Sequence, residues 1–125
     1  MGPKGAKRLA IDPTGRLWII NKQGNVYMKR RHRWKRIFGK ASSIAIGADN
    51  SVFVLGKQIK RQGYAIYKLD RRTNTWQRFP GHAMRIAVHI DGNPWIVSAQ
   101  KKVFRYTKKG WTSVKAPNSR LIVNG

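Results

Sequence analysis

An all-β chain built from one unit used three times is the fold that this sequence predicts. Three observations predict it. First, the run Leu9-Ala10-Ile11 … Trp18-Ile19-Ile20 … Val26-Tyr27 … Trp34 returns as Ile44-Ala45-Ile46 … Phe53-Val54-Leu55 … Ile66-Tyr67 … Trp76, and again as Ile86-Ala87-Val88 … Trp95-Ile96-Val97 … Val103-Phe104 … Trp111. The steps are 35 and then 42 residues, the range in which one supersecondary unit is used several times. Second, all five tryptophans fall at equivalent places in the copies. Third, each copy breaks into four short strand signals separated by turn residues.

The first strand of each copy is the apolar triplet at 9–11, 44–46 and 86–88. A polar turn follows: Asp12-Pro13-Thr14-Gly15, Gly47-Ala48-Asp49-Asn50, then His89-Ile90-Asp91-Gly92. The Gly, Asn and Gly that end these turns suit a positive φ. The second strand is Leu17 to Ile20, Val52 to Leu55, and Trp95 to Val97. The third is 26–29, 65–68 and 103–106, and the fourth starts at Trp34, Trp76 and Trp111. The first two strands are nearly continuous apolar runs, as when both faces are buried. The last two mix aromatics with Lys and Arg, as in Trp34-Lys35-Arg36-Ile37-Phe38.

That gradient, from a dry inner strand to a wet outer one, belongs to a β-propeller blade. The expected organisation is a single domain, 1–125, with blades at about 5–39, 40–80 and 81–116. Residues 117–125 hold an extra inner strand, since Arg120-Leu121-Ile122-Val123 follows Arg85-Ile86-Ala87-Val88 at the same step of 35. A propeller usually has four to eight blades, so three full blades and one orphan strand point to completion by a second chain, giving six. The rival is an open fragment held in a larger assembly.

The segment Arg85-Ile86-Ala87-Val88 … Asp91-Gly92-Asn93-Pro94-Trp95-Ile96-Val97 … Trp111 resembles the tectonin β-propeller repeat. So do Leu9 to Trp34 and Ile44 to Trp76, and Pro80-Gly81 stands before the third copy in the typical place. The resemblance covers almost the whole chain and implies six blades in a closed ring. Proteins of this type include lectins for glycans or lipopolysaccharide and modules of larger trafficking proteins. The chain departs from the lectins in being half their usual length and in its extreme charge.

Charge points to the partner. The chain carries 27 Lys and Arg against four acids, a net charge of +23. Self-repulsion on this scale opposes compaction, so a counter-charged partner is expected. Six of the eight residues from Lys29 to Arg36 are basic: Lys29, Arg30, Arg31, Arg33, Lys35 and Arg36. The equivalent turn of the second copy carries Arg71 and Arg72, and that of the third Lys108 and Lys109, with Lys101, Lys102 and Arg105 upstream. A seven-residue insertion in the second copy adds Lys57, Lys60 and Arg61. These residues are expected to share one peripheral zone that grips a polyanion. Tyr64 and Tyr106 lie outside the strictly repeated set and are read as candidates for surface contact.

Catalytic chemistry is missing. There is no cysteine, and His32, His82 and His89 have no metal-ligand spacing. Asp12, Asp49 and Asp91 lie in the repeated turns, where short acids cap backbone donors. No nucleophile has a partnered base. The expectation is a non-enzyme without cofactor or metal, a basic scaffold for structural RNA in a ribosome or other ribonucleoprotein. The alternatives are a structural protein on an acidic lattice such as microtubules, and a tectonin-like glycan-binding lectin. No apolar run reaches the length of a membrane span and the N-terminus lacks a signal-peptide core, so a soluble, intracellular protein is expected.

Overall fold

The computed structural model describes residues 5–115. Among them lie twelve strands and no helix. The first blade is β1 (Ala6–Ile11), β2 (Leu17–Asn21), β3 (Asn25–Arg30) and β4 (Arg33–Lys40). The second is β5 (Ser43–Ile46), β6 (Val52–Ile59), β7 (Gly63–Asp70) and β8 (Thr75–Ala83). The third is β9 (Arg85–Val88), β10 (Pro94–Val97), β11 (Val103–Thr107) and β12 (Gly110–Val114). Each blade is a four-stranded antiparallel meander in chain order. Inner strand β1 lies beside β5, and β5 beside β9, so the sheets stack like propeller blades. The expected orphan strand at 117–125 lies outside the described residues.

The first turn of each blade closes in the same way. The backbone N–H groups of Asp12, Gly47 and His89 donate to the carbonyls of Arg16, Ser51 and Asn93 at 3.0, 2.8 and 2.9 Å. Gly15, Asn50 and Gly92 take φ of 88°, 70° and 87°, the left-handed conformation that Gly and Asn tolerate best. The side chains that brace the turn differ. Asp49 accepts from Ser51 and Asp91 from Asn93, both two residues on. Asp12 stands at the turn's first position and is 3% exposed. One oxygen accepts from Thr14 N–H, Thr14 hydroxyl and Arg16 N–H; the other accepts from the Trp18 indole at 3.1 Å.

Burial pushes the Asp12 carboxyl up, but the bonds from Thr14, Trp18 and Arg16 outweigh it and hold it below 3.8. A depressed carboxylate contributes stability that is in place above the ordinary carboxylate range and lost as pH falls below it. Asp12→Ala is expected to cost about 2–3 kcal/mol, because it leaves the buried indole N–H and two backbone donors unpaired. Urea melts at pH 7 and pH 3 check this, the gap between wild type and variant shrinking at the lower pH.

Strand alternation gives every blade two faces, and register assigns the residues. In the first blade, Leu9, Ile11, Leu17, Ile19, Tyr27, Lys29, Trp34 and Arg36 share the leading face. Ala10, Trp18, Ile20, Val26, Met28 and Ile37 share the trailing face. That trailing face packs on the leading face of the second blade, where Ile44, Ile46, Val52, Val54, Tyr67, Leu69 and Trp76 join one cluster with it. The trailing face of the second blade (Phe53, Leu55, Ile66, Phe79) packs in turn on Ile86, Val88, Ile96, Phe104 and Trp111. Each large apolar side chain so buried contributes roughly 1.5–3 kcal/mol before entropy is counted.

Outer-strand tryptophans key these junctions. Gly39 and Gly81 hold φ of 127° and 96°, and a Cβ on either would fall 2.6 Å from the ring of Trp76 or Trp111 respectively. Trp111 Nε1 also donates to the Pro80 carbonyl at 2.8 Å.

Two expectations need correction, and one insertion finds its place. Strand β1 is not dry: Leu9 and Ile11 are 64% and 62% exposed, because nothing among the described residues covers the leading face of the first blade. The insertion at 57–63 lengthens β6 and β7 into a taller hairpin, with Gln58 opposite Tyr64 and Ile59 opposite Gly63. Tyr64 and Tyr106 are not surface contacts. Tyr64 packs against the second cluster, and the Tyr106 ring lies 4.7 Å from Phe79 and 5.1 Å from Trp111, inside the junction between the second and third blades.

Candidate polyanion-binding surface

In an antiparallel meander, the turns after the first and third strands share one end of the blade, and the turn after the second sits at the other. The sixteen cations singled out from the sequence therefore divide. Lys29, Arg30, Arg31, Arg33, Lys35 and Arg36 flank the β3–β4 turn. Arg71, Arg72, Lys108 and Lys109 occupy the equivalent turns at the same end. Lys57, Lys60, Arg61, Lys101 and Lys102 lie at the opposite end, on β6 and the turns that follow β6 and β10. Arg105 sits mid-strand on the trailing face of the third blade, opposite Trp95. One peripheral zone does not hold them all.

The first blade draws its cations together. A cleft of about 830 Å³ is lined by Arg16, Arg30, Arg31, His32, Arg33, Trp34, Lys35 and Arg36. No carboxylate lines it. Arg16 was not in the sequence-derived set. It belongs to the β1–β2 turn, and the rule that this turn shares an end with β3–β4 would have found it. Trp34 is half-buried beneath the cations, with the Lys29 ammonium 5.9 Å from its ring centroid.

The cleft cations lack acidic partners. Among the described residues, the one Lys or Arg ion pair to a carboxylate is Arg72–Asp70, at 3.7 Å and exposed, a geometry worth little. Arg71 donates to the Asn50 carbonyl at 3.1 Å and lies 5.7 Å over Trp18, so it serves the junction between blades. Arg36 donates to Asn25 Oδ1 at 2.8 Å and stacks 5.2 Å over Phe38, which is 77% exposed. Arg30, Arg31 and Arg33 are exposed.

Backbone conformation adds a second mark. Arg31, in the β3–β4 turn, holds φ of 57°, where Gly110 closes the equivalent turn of the third blade with φ of 94°. A side chain in this region costs about 1–2 kcal/mol, and such strain gathers at functional sites. Arg31→Gly is therefore expected to raise stability by about 1 kcal/mol while weakening polyanion binding. Thermal melts and a binding titration of the same variant test both halves.

No family model matches the chain. Over 58 residues, 46% of this chain, the sequence is 31% identical to Tectonin-1 of Physarum polycephalum. Over that stretch the repeats are similar to those of a tectonin. The chain spans about a quarter of the length of that relative, 24%. The solved structure of a luciferin-regenerating enzyme matches the three blades at a TM-score of 0.51 and 15% identity, over 88% of this chain and 44% of that one, a likeness of fold. Among the described residues, no group of three His, Cys, Asp or Glu is placed to hold a metal ion. No helix there is long and apolar enough to cross a membrane.

Proposed function

We propose that this tectonin-type chain is a non-catalytic module that binds a polyanion at the arginine cleft of its first blade. The observation that carries the proposal is the cleft itself: five arginines and a lysine around one tryptophan, with no carboxylate among its lining residues. Each cation that neutralises a phosphate releases condensed counterions, so affinity is built from many contacts and falls steeply with salt. Guanidinium groups grip phosphates bidentately and lie flat on bases. That pairing, with Trp34 as an apolar floor, favours RNA as the polyanion.

The tectonin-type repeat supports a second reading, in which the ligand is a glycan. A third places the same charge on an acidic protein lattice such as microtubules. One experiment separates the three. Fluorescence anisotropy with a single-stranded RNA oligomer, across a salt series, is followed by competition with neutral glycans, heparin and polymerised tubulin. RNA binding that neutral glycan leaves intact, that falls with salt, that heparin displaces as a competing polyanion, and that polymerised tubulin displaces only weakly supports the proposal; tubulin that outcompetes RNA supports the lattice. Binding of neutral glycan that persists in high salt, where ionic contacts are screened, supports the lectin instead.

A further inference from the structure

Two sheet faces of the described molecule are uncovered, and they match each other. The leading face of the first blade offers Leu9, Ile11, Leu17 and Ile19. The trailing face of the third offers Ala87, Trp95, Val97 and Val103. Inside the chain, a trailing face meets a leading face twice, with residues of the same kind at the same register. The open trailing face is therefore shaped for a leading face, and the open leading face for a trailing one. Leu9 and Ile11 are well exposed where their equivalents Ile44 and Ile46 are packed. Ala87 is exposed where Ala45 is half-buried.

The outer half of these faces departs from the internal junctions. At the first junction, Met28 and Leu69 belong to one apolar cluster. At the second, their equivalents are Lys68 and Tyr106, and the Lys68 ammonium rests over Phe53 at 5.5 Å. On the two open faces the equivalents are Arg105 and Lys29, both cationic. Arg105 also lines a smaller cleft with His89, Asp91, Trp95 and Lys108 at the arginine end of the third blade, where Asp91 is engaged by His89 and the Asn93 N–H. Bringing the open faces together sets Arg105 of one copy against Lys29, Trp34 and Arg36 of the other. Like charges at that spacing repel unless an anion lies between them.

We propose that two copies of this chain close head to tail into a six-bladed ring, and that closure is coupled to anion binding at each seam, where the arginine cleft of one copy is completed by the partner's Arg105 and Lys108. Six blades lie within the usual range for a ring. Both contacts are heterologous and equivalent, and such contacts end in a closed ring when the rotation closes, here at two copies of three blades. The anion at the seam rests on the function proposed above, whereas the apolar fit of the faces does not.

Sedimentation velocity tests it, with a single-stranded oligouridylate as the anionic probe. Wild-type chain is expected to sediment as a monomer alone and at twice the mass with the oligonucleotide. Ile11→Glu and Ala87→Glu, each at an exposed site, are expected to stay monomeric with the probe. An equimolar mixture of the two regains a heterodimer, because one seam pairs the two unaltered faces. The variant combining Lys29→Leu and Arg105→Met, which restores an apolar pair, is expected to dimerise with no oligonucleotide. That last arm holds even if the chain binds no polyanion, so failure of the ring and failure of the proposed function are told apart. Persistent dimer in either single variant, monomer in the combined variant, a mass beyond two copies, or wild-type dimer unaffected by the probe would overturn the proposal.

Discussion

Reversing Arg30, Arg31, Arg33 and Arg36 to Glu is expected to lower affinity for single-stranded RNA by about three orders of magnitude near 0.1 M salt. The estimate follows from counterion release: each phosphate contact on a single strand contributes a slope of roughly 0.7 in log affinity against log salt, so four contacts contribute about 3. The same variant should therefore show a salt slope flatter by about 3. All four side chains are exposed, so folding should survive, and an unchanged melting temperature would show that it did. Reversal of Lys57, Lys60, Arg61, Lys101 and Lys102, at the opposite end, is the matched control. It changes the net charge by more and should cost less. If the two variants lose affinity equally, net charge and not the cleft determines binding.

The second large effect is structural. Gly81→Ala is expected to destabilise the chain by about 3 kcal/mol. Two costs combine. At a φ of 96° a side chain is strained, by about 1–2 kcal/mol. The added methyl would also sit 2.6 Å from Trp111 Nε1, and overpacking of this kind costs about 1–3 kcal/mol. Trp111 is further held by its bond to the Pro80 carbonyl, so it cannot swing away without losing that partner. Gly15→Ala is the comparison: it has positive φ but nothing within 4 Å of the new methyl, so only the conformational cost remains. Chemical denaturation of the pair isolates the packing share. A Gly81→Ala cost no larger than that of Gly15→Ala would show that the tryptophan does not key the blades.

The blades were legible because apolar residues stand at the same register positions in every copy, as Ile20, Leu55 and Val97 do, and because the turn positions Gly15, Asn50 and Gly92 share a positive φ. What escaped was whatever depends on a neighbour in space. The exposure of Leu9 and Ile11 follows from an uncovered face, which no local pattern reveals. Tyr106 looked unrepeated, yet register sets it with Lys29 and Leu69, and only packing shows which of the three is buried. Asp12 shares a turn with Thr14 but not the position of Asp49, and its bond to Trp18 is particular to the first blade. The arginine hairpin was visible as a charge run; Arg16 was not, because its proximity is set by which turns share an end.

The most direct test of the account is to locate the polyanion. Amide hydrogen exchange of the chain with and without a saturating single-stranded RNA gives that location by peptide. The cleft predicts new protection in the peptides spanning 12–17 and 29–37, with little change across 57–63. Protection confined to 57–63 and 98–103, with the β3–β4 hairpin unaffected, would contradict it.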